Sequence, residues 1–301
     1  MALPLGFFLD SGAFSAFTQK TAINIDEYIA FIKKYEKFIE VYANLDAIGT
    51  GEQSAKKTLE NQKYMESKGL KPLPCFHVGE PLSYLEYYVK NYDYIALGGM
   101  AAGLNNKQRQ LFLDECFSKY ICDADGLPKV RTHGFGMTSF NLMFRYPWYS
   151  VDSTSWSMAS RMGQIYILLT RNGEFDWSKP PFKLAVSALS PNVKEKGTHY
   201  NNITPTLKKQ VDKYLADLGF VMGKTEYREE PADYVLKEGE RFLTKKSIVP
   251  RKVEKVIIPG LENDYIMRDQ VNILYYKQLE KCFKPYPWAF KPKNTMKGLL
   301  S

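Results

Sequence analysis

Phe7-Phe8-Leu9-Asp10-Ser11-Gly12-Ala13-Phe14 is an apolar run that ends on a carboxylate and then turns through Ser-Gly-Ala to an aromatic. Its first half is β-prone and its second half carries turn residues, so a strand is expected to finish at Asp10. The pattern recurs. Val41-Tyr42-Ala43-Asn44-Leu45-Asp46, Tyr94-Ile95-Ala96-Leu97-Gly98-Gly99 and Tyr149-Ser150-Val151-Asp152 each close a short β-prone run on Asp or Gly-Gly. Segments of helical period lie between. Tyr28, Ile29, Ile32 and Tyr35 recur at spacings of three or four within 25–38, 52–68 is polar and helical up to Gly69, and Tyr84, Leu85, Tyr88 and Val89 share a face within 81–91. Further helices are expected over about 107–120 and 137–144, with strands at 73–78, 129–133, 149–154, 164–170 and 183–188 and an Asn172-Gly173 turn between the last two. Eight strand-like runs in about 190 residues predict an α/β fold of the TIM (β/α)8 type. In such a barrel, side chains at the carboxyl ends of the strands line the active-site mouth.

From about residue 190 the pattern changes. Helices at 207–218 and 269–283 flank a Lys-rich, irregular stretch at 223–259. Two parts are therefore expected: a catalytic α/β barrel over 1–195 and a basic, helical C-terminal extension over 196–301.

Composition narrows the function. Of 301 residues, 45% are hydrophobic and 25% charged, as in ordinary globular proteins. No stretch approaches 18 consecutive apolar residues, so no membrane span is expected, and Met-Ala-Leu-Pro-Leu-Gly lacks the flank of a secretory signal. A cytoplasmic location is the expectation. Cys75, Cys116, Cys122 and Cys282 are too widely spread for a paired zinc site, and His77, His133 and His199 form no ligand spacing with them, so no metal is expected. The net charge is +8, and residues 200–301 hold 19 Lys and Arg against 13 Asp and Glu. That asymmetry suits a polyanion such as nucleic acid, or is a solvated face.

Each candidate side chain has a plain structural alternative. Asp10 and Asp152 are placed for chemistry at strand ends, or cap the turns that follow. Phe14 is a stacking ring or a core residue. Gly98-Gly99 admits a flat ligand close to the backbone, or makes a turn. His77, after its strand, contacts a ligand or is satisfied by backbone.

Taken together, DSGAF at 10–14, NLD at 44–46, ALGGMAAG at 96–103 and the HGFG to SVD stretch at 133–152 resemble the tRNA-guanine transglycosylase superfamily. The resemblance covers roughly residues 5–190 and is nearest to the phage and bacterial relatives that put 7-deazaguanine bases into DNA. It implies Asp152 as the nucleophile on C1′ of the sugar, Asp10 as general acid and base, and Asp46 as the residue that hydrogen-bonds the base edge. It implies Phe14 as a stacking ring, and Gly98, Gly99 and Met100 as the segment whose amides read the base, with Met100 covering the opposite ring face. Where the family shows a glutamine and a glycine, this chain has Phe76-His77-Val78-Gly79-Glu80, so His77 is the nearest polar substitute. His133 faces the pocket in the same reading, with Gly134 and Gly136 admitting substrate.

Two departures stand out. The zinc motif of the tRNA enzymes is missing, and the DSG motif begins at residue 10 rather than after a considerable N-terminal segment. Either the barrel is trimmed at its N-terminus, or the strands at 165–188 complete it differently. The expected activity is a DNA-guanine transglycosylase that replaces guanine by a 7-deazaguanine base, such as the cyano-bearing precursor preQ0, without metal or redox cofactor. The alternatives are a tRNA-guanine transglycosylase and a non-catalytic, nucleic-acid-binding partner subunit. The target nucleotide has to be unstacked for the chemistry. Arg145, Arg161, Lys208, Lys209, Lys245, Lys246, Arg251 and Lys252 are the candidate phosphate contacts, while Tyr286, Trp288 and Phe290 either stack on bases or pack back onto the barrel.

Overall fold

The computed structural model describes residues 6–100, 103–168, 170–171, 174–175, 179–190 and 193–292. Backbone packing divides the chain into two compact units, Met1–Ser153 with Lys284–Ser301, and Thr154–Phe283.

The first unit alternates strand and helix. β1 (Phe7–Leu9), α1 (Ala13–Thr18), α2 (Ile25–Tyr35), β2 (Ile39–Tyr42), α3 (Glu52–Ser67) and β3 (Cys75–His77) are followed by α4 (Leu82–Asn91), β4 (Tyr94–Gly98), α5 (Asn106–Glu115), β5 (Arg131–Gly134), α6 (Phe140–Arg145) and β6 (Ser150–Val151). Local chemistry sets these helices. The Asn24 side chain accepts from the Asp26 and Glu27 amides at the start of α2, whose buried face is Tyr28, Ile29 and Ile32. Asn105 and Gln108 form a capping box on α5, which continues as a π-helical turn over Cys116–Ile121.

Every strand pairing in this unit is parallel. β1 pairs with β2, and β3, β4, β5 and β6 form a four-stranded sheet in chain order. An isolated parallel bridge between Ala43 and Leu73 joins the pair to the sheet. The sheet curls, because Phe8 of β1 stacks on His133 of β5 with ring centroids 4.4 Å apart. Phe76, Leu97, Leu113, Phe117, Tyr146 and Trp148 centre the larger core.

Among the described residues no closed barrel forms. β7 (Gln164–Ile167) and β10 (Phe182–Ala185), expected to complete it, pair antiparallel with each other in the second unit, and β8 (Thr170–Arg171) pairs antiparallel with β9 (Glu174–Phe175) between them. β8 and β9 are separated by only two residues, a connection that lets strands pair only antiparallel, and β7 and β10 flank that hairpin. The expected Asn172-Gly173 turn lies outside the described residues.

The second unit adds α7 (Ser155–Arg161), α8 (Pro205–Asp217), β11 (Lys224–Glu230), β12 (Glu240–Phe242), β13 (Arg251–Ile258) and α9 (Tyr265–Glu280). The stretch expected to be irregular is a three-stranded antiparallel sheet in the order β11-β13-β12, so residues 196–301 are not a purely helical extension. β11, Lys-Thr-Glu-Tyr-Arg-Glu-Glu, is charged along most of its length and carries no apolar alternation to mark it as a strand. Arg228 bonds Glu230, Tyr234 and Glu240 in one network. Within the second unit α7 is tied to α9. Arg268 Nε donates to Ser160 O at 2.7 Å, and Asn272 Nδ2 donates to Trp156 O at 2.9 Å. Among the described residues no helix is long and apolar enough to cross a membrane.

The tail returns to the first unit and packs there. Phe290 is 3% exposed, its N–H donates to Gly126 O at 2.8 Å, and its ring lies 5.2 Å from that of Tyr146. Phe290→Ala is expected to lower unfolding stability by about 3–5 kcal/mol in denaturant titration, the cost of emptying a buried aromatic site. A ring reserved for stacking on bases would leave the transition unmoved.

Candidate active site

Because β1 to β6 run parallel, the residues that follow each strand gather at one edge. Asp10 follows β1, Asp46 lies just beyond β2, His77 ends β3, Gly98 ends β4, and Asp152 follows β6. The aspartates are not helix caps. Gly12, with φ of 74°, occupies the N-cap of α1 and Thr154 that of α7, and neither helix has a side-chain cap.

Asp46 is the hub of one cluster. Ser11 Oγ donates to Asp46 Oδ1 at 2.9 Å, and Asp46 Oδ2 lies 2.9 Å from His77 Nε2. The other face of His77 meets Glu80, whose Oε2 accepts from the His77 backbone N–H at 2.9 Å while Oε1 stands 3.7 Å from Nδ1. At 3.7 Å that last contact is an ion pair rather than a hydrogen bond. Burial works against charge on the ring, but the carboxylates of Asp46 and Glu80 outweigh it and push the His77 pKa up to about 9. The ring is thus an imidazolium at neutral pH. Its Nε2 holds Asp46 in place, while Nδ1 makes no hydrogen bond among the described residues.

The glycines serve this histidine. A Cβ on Gly98 would stand 2.6 Å from His77 Cδ2, and Gly99, at φ +74°, would meet His77 Cβ at 3.2 Å. Met100 is 1% exposed and packed in the apolar core, so its side chain does not cover the face of a ligand. Gly134 likewise makes room for protein, since a Cβ there would lie 2.9 Å from Met137 Cβ and 3.1 Å from the Trp148 ring.

Asp152 belongs to a second cluster. The Gly136 N–H donates to its Oδ1 at 2.8 Å, and His133 Nε2 stands 3.6 Å from the same oxygen. His133 Nδ1 is 2.6 Å from Ser150 Oγ, which is 2.5 Å from Tyr94 OH. Phe8 stacks on the imidazole and Phe135 meets it edge-on at 4.6 Å. Gly136 therefore contributes a donor, and His133 a ring fixed from three sides.

Asp10 joins the clusters electrostatically. Its carboxyl pKa is raised, first by the protein that displaces water around it, then by the negative charge of Asp46 and, more weakly, of Asp152. The Gly12 N–H, at 3.5 Å from Oδ1, opposes the shift only in part. Phe14 is 47% exposed on α1, which makes it an accessible ring and not a core residue.

The candidate phosphate contacts divide. Arg145 is committed to Asp114, with Nε and Nη2 donating at 2.9 and 2.8 Å. Arg251 lies over the Phe242 ring at 3.1 Å, and Lys208 over Tyr200 at 4.3 Å. Arg161, Lys209, Lys245, Lys246 and Lys252 are exposed, all on the second unit. Sequence reading missed Ser11, Glu80, Ser150, Tyr94 and Phe8. Only Glu80, three residues past His77 across a glycine turn, left a signal. Among the described residues no group of three or more His, Cys, Asp or Glu is arranged to hold a metal ion. Comparison with known protein families, curated proteins and solved structures returns no match.

The His77 cluster predicts a pH dependence with a definite sign. A histidine whose pKa is raised on folding, here from about 6.5 to about 9, contributes stability that is complete below about pH 6.5 and lost as pH rises through about 9. Unfolding stability of the wild type is expected to fall by on the order of 3 kcal/mol across that window, and His77→Gln to flatten this part of the profile. His77→Ala, which leaves two buried carboxylates unpaired, is expected to cost about 3–5 kcal/mol at neutral pH.

Proposed function

We propose that the chain is a base-exchange glycosyltransferase that replaces guanine in DNA by a 7-deazaguanine through a covalent aspartyl-nucleotide intermediate. In this reading β1 to β6 are strands of a (β/α)8-type barrel whose mouth holds the reaction. The observation that carries the proposal is the gathering of Asp10, Asp46 and Asp152 at one edge of a curled parallel sheet, with the Asp10 carboxyl raised toward its neutral form by its surroundings and by the other two.

The roles follow from the environments. Asp152, oriented by the Gly136 N–H, attacks C1′ as the C1′–N9 bond breaks, and the bonding pair leaves with guanine. Asp10 supplies the proton that the departing base takes up, a role favoured by the upward shift of its carboxyl pKa. The base then exchanges. Asp10, now a carboxylate, removes the N9 proton of the incoming 7-deazaguanine, whose nitrogen attacks C1′ and expels Asp152. Charge and protons balance over the cycle, and no oxidant is required.

Asp46 suits the base edge because guanine and 7-deazaguanine carry the same N–H donors on their pairing edge. With Oδ1 held by Ser11 and Oδ2 by His77, the carboxylate is fixed to receive them. Phe14 offers a ring for stacking, a contact worth roughly 1–3 kcal/mol per base. The exposed cations of the second unit favour a phosphate backbone.

Incubation with DNA or tRNA and radiolabelled deazaguanine tests the proposal. Label is expected in DNA, and denaturing gels are expected to trap a protein–DNA adduct that Asp152→Ala abolishes. Asp10→Asn is expected to slow exchange by about 10²- to 10⁴-fold, the usual worth of a general acid. Label in tRNA alone would overturn the choice of polymer, and full incorporation by Asp152→Ala would overturn the mechanism.

A further inference from the structure

The second unit contains a cavity of about 490 Å³, within the size range of small-ligand sites. Its floor is a cross-strand row. Glu254 of β13 lies opposite Tyr227 of β11 on one side and Arg241 of β12 on the other. Arg161 at the end of α7, Arg268 of α9, Glu262 and Tyr265 complete the functional lining.

The charges do not cancel. Arg241 Nη2 donates to both oxygens of the buried Glu254, at 3.0 and 3.1 Å, so that pair is internally satisfied. Arg268 is 6% exposed, and its hydrogen bonds go to neutral backbone oxygens, Ser160 O from Nε and Leu261 O from Nη1. Its second terminal nitrogen, Nη2, makes no hydrogen bond among the described residues, and Arg268 lines the cavity. Asp264 and Asp269 act on it only at longer range. Arg161 is exposed and has no ion pair among the described residues. Two arginines thus face the cavity against Glu262, whose carboxyl is pushed up by burial. An arginine in a cavity wall, held by carbonyls and with donors left over, suits recognition of phosphate.

The cavity also offers aromatic surface. Tyr227 is 40% and Tyr265 49% exposed at its wall. A ligand matching both features carries a phosphate and a flat heterocycle.

We propose that this cavity is a nucleotide-binding site, in which Arg161 and Arg268 hold the phosphate and Tyr265 or Tyr227 takes the base. The inference stands on the second unit alone and does not depend on the exchange chemistry. Free nucleotides and nucleotides within a single strand share this chemistry, so both are probed.

The test is calorimetric titration of the full chain at physiological salt with dGMP, inorganic phosphate and a short single-stranded oligodeoxynucleotide, without deazaguanine. Saturable binding of dGMP or of the oligonucleotide is expected, weakened at least tenfold by Arg161→Glu. Tyr265→Ala is expected to weaken the nucleotide or oligonucleotide while leaving inorganic phosphate unchanged. Both side chains are exposed, and unchanged thermal transitions confirm folding of the variants. Tight dGMP binding identifies a free-nucleotide site, and binding of the oligonucleotide alone, with the same Arg161 and Tyr265 dependence, identifies a strand site. Absence of binding, or binding indifferent to both substitutions, overturns the proposal. Because no base exchange is measured, failure of the transglycosylase reading leaves this result standing, and the reverse holds equally.

Discussion

The first unit is organised around a buried imidazole pressed between two carboxylates. Asp46, His77 and Glu80 lie beyond β2, at the end of β3 and in the turn after it, while Ser11 brings the residues after β1 to the same hub. Burying charges is costly unless they are paired and hydrogen-bonded. The cluster therefore constrains all its neighbours at once. Gly98 has to lack a Cβ because the His77 ring occupies that space, Gly99 turns at φ +74° against His77 Cβ and the Val78 backbone, and the turn to Glu80 has to close tightly enough for the carboxylate to meet the His77 backbone N–H. One contact thus fixes four strand ends, and with them the edge where Asp10 and Asp152 stand.

Much of this unit is legible in the chain. Short β-prone runs that stop on Asp or Gly mark strands β1 to β4 within a few residues, helical spacing marks α2 and α4, and Gly69 marks the end of α3. What pattern could not give was partnership. Nothing in a short β-prone run says whether its neighbour runs parallel, so residues 164–188 read as barrel strands when they fold back on each other. The charges of β11 hid a sheet for a related reason, since cross-strand pairs such as Arg241 with Glu254 are not visible in the sequence of any one strand.

The site was legible in its carboxylates and not in what surrounds them. Asp10, Asp46 and Asp152 were recognisable because a charge after an apolar strand is conspicuous. His77 stood out, but its protein partners did not. Its neighbour Glu80 is in plain view in the sequence, whereas only the fold brings Asp46 to the Nε2 side of the ring. Met100 fails for a complementary reason, because next to two glycines it reads as a ligand cover, whereas the Gly99 turn directs it into the core.

Counting cations overstates a phosphate-binding surface, and the arginines show why. A guanidinium is planar, weakly hydrated and a fork of donors, so folding recruits it for internal work. Arg145 braces Asp114 beneath Phe290, Arg251 lies on Phe242, and Arg228 ties three side chains together. Lysine is more strongly hydrated, and Lys209, Lys245, Lys246 and Lys252 remain at the surface. An arginine left facing open space is therefore more informative than several exposed lysines. Arg161 and Arg268 line one cavity without a bonded carboxylate, and on that contrast with the recruited arginines the proposed nucleotide site rests.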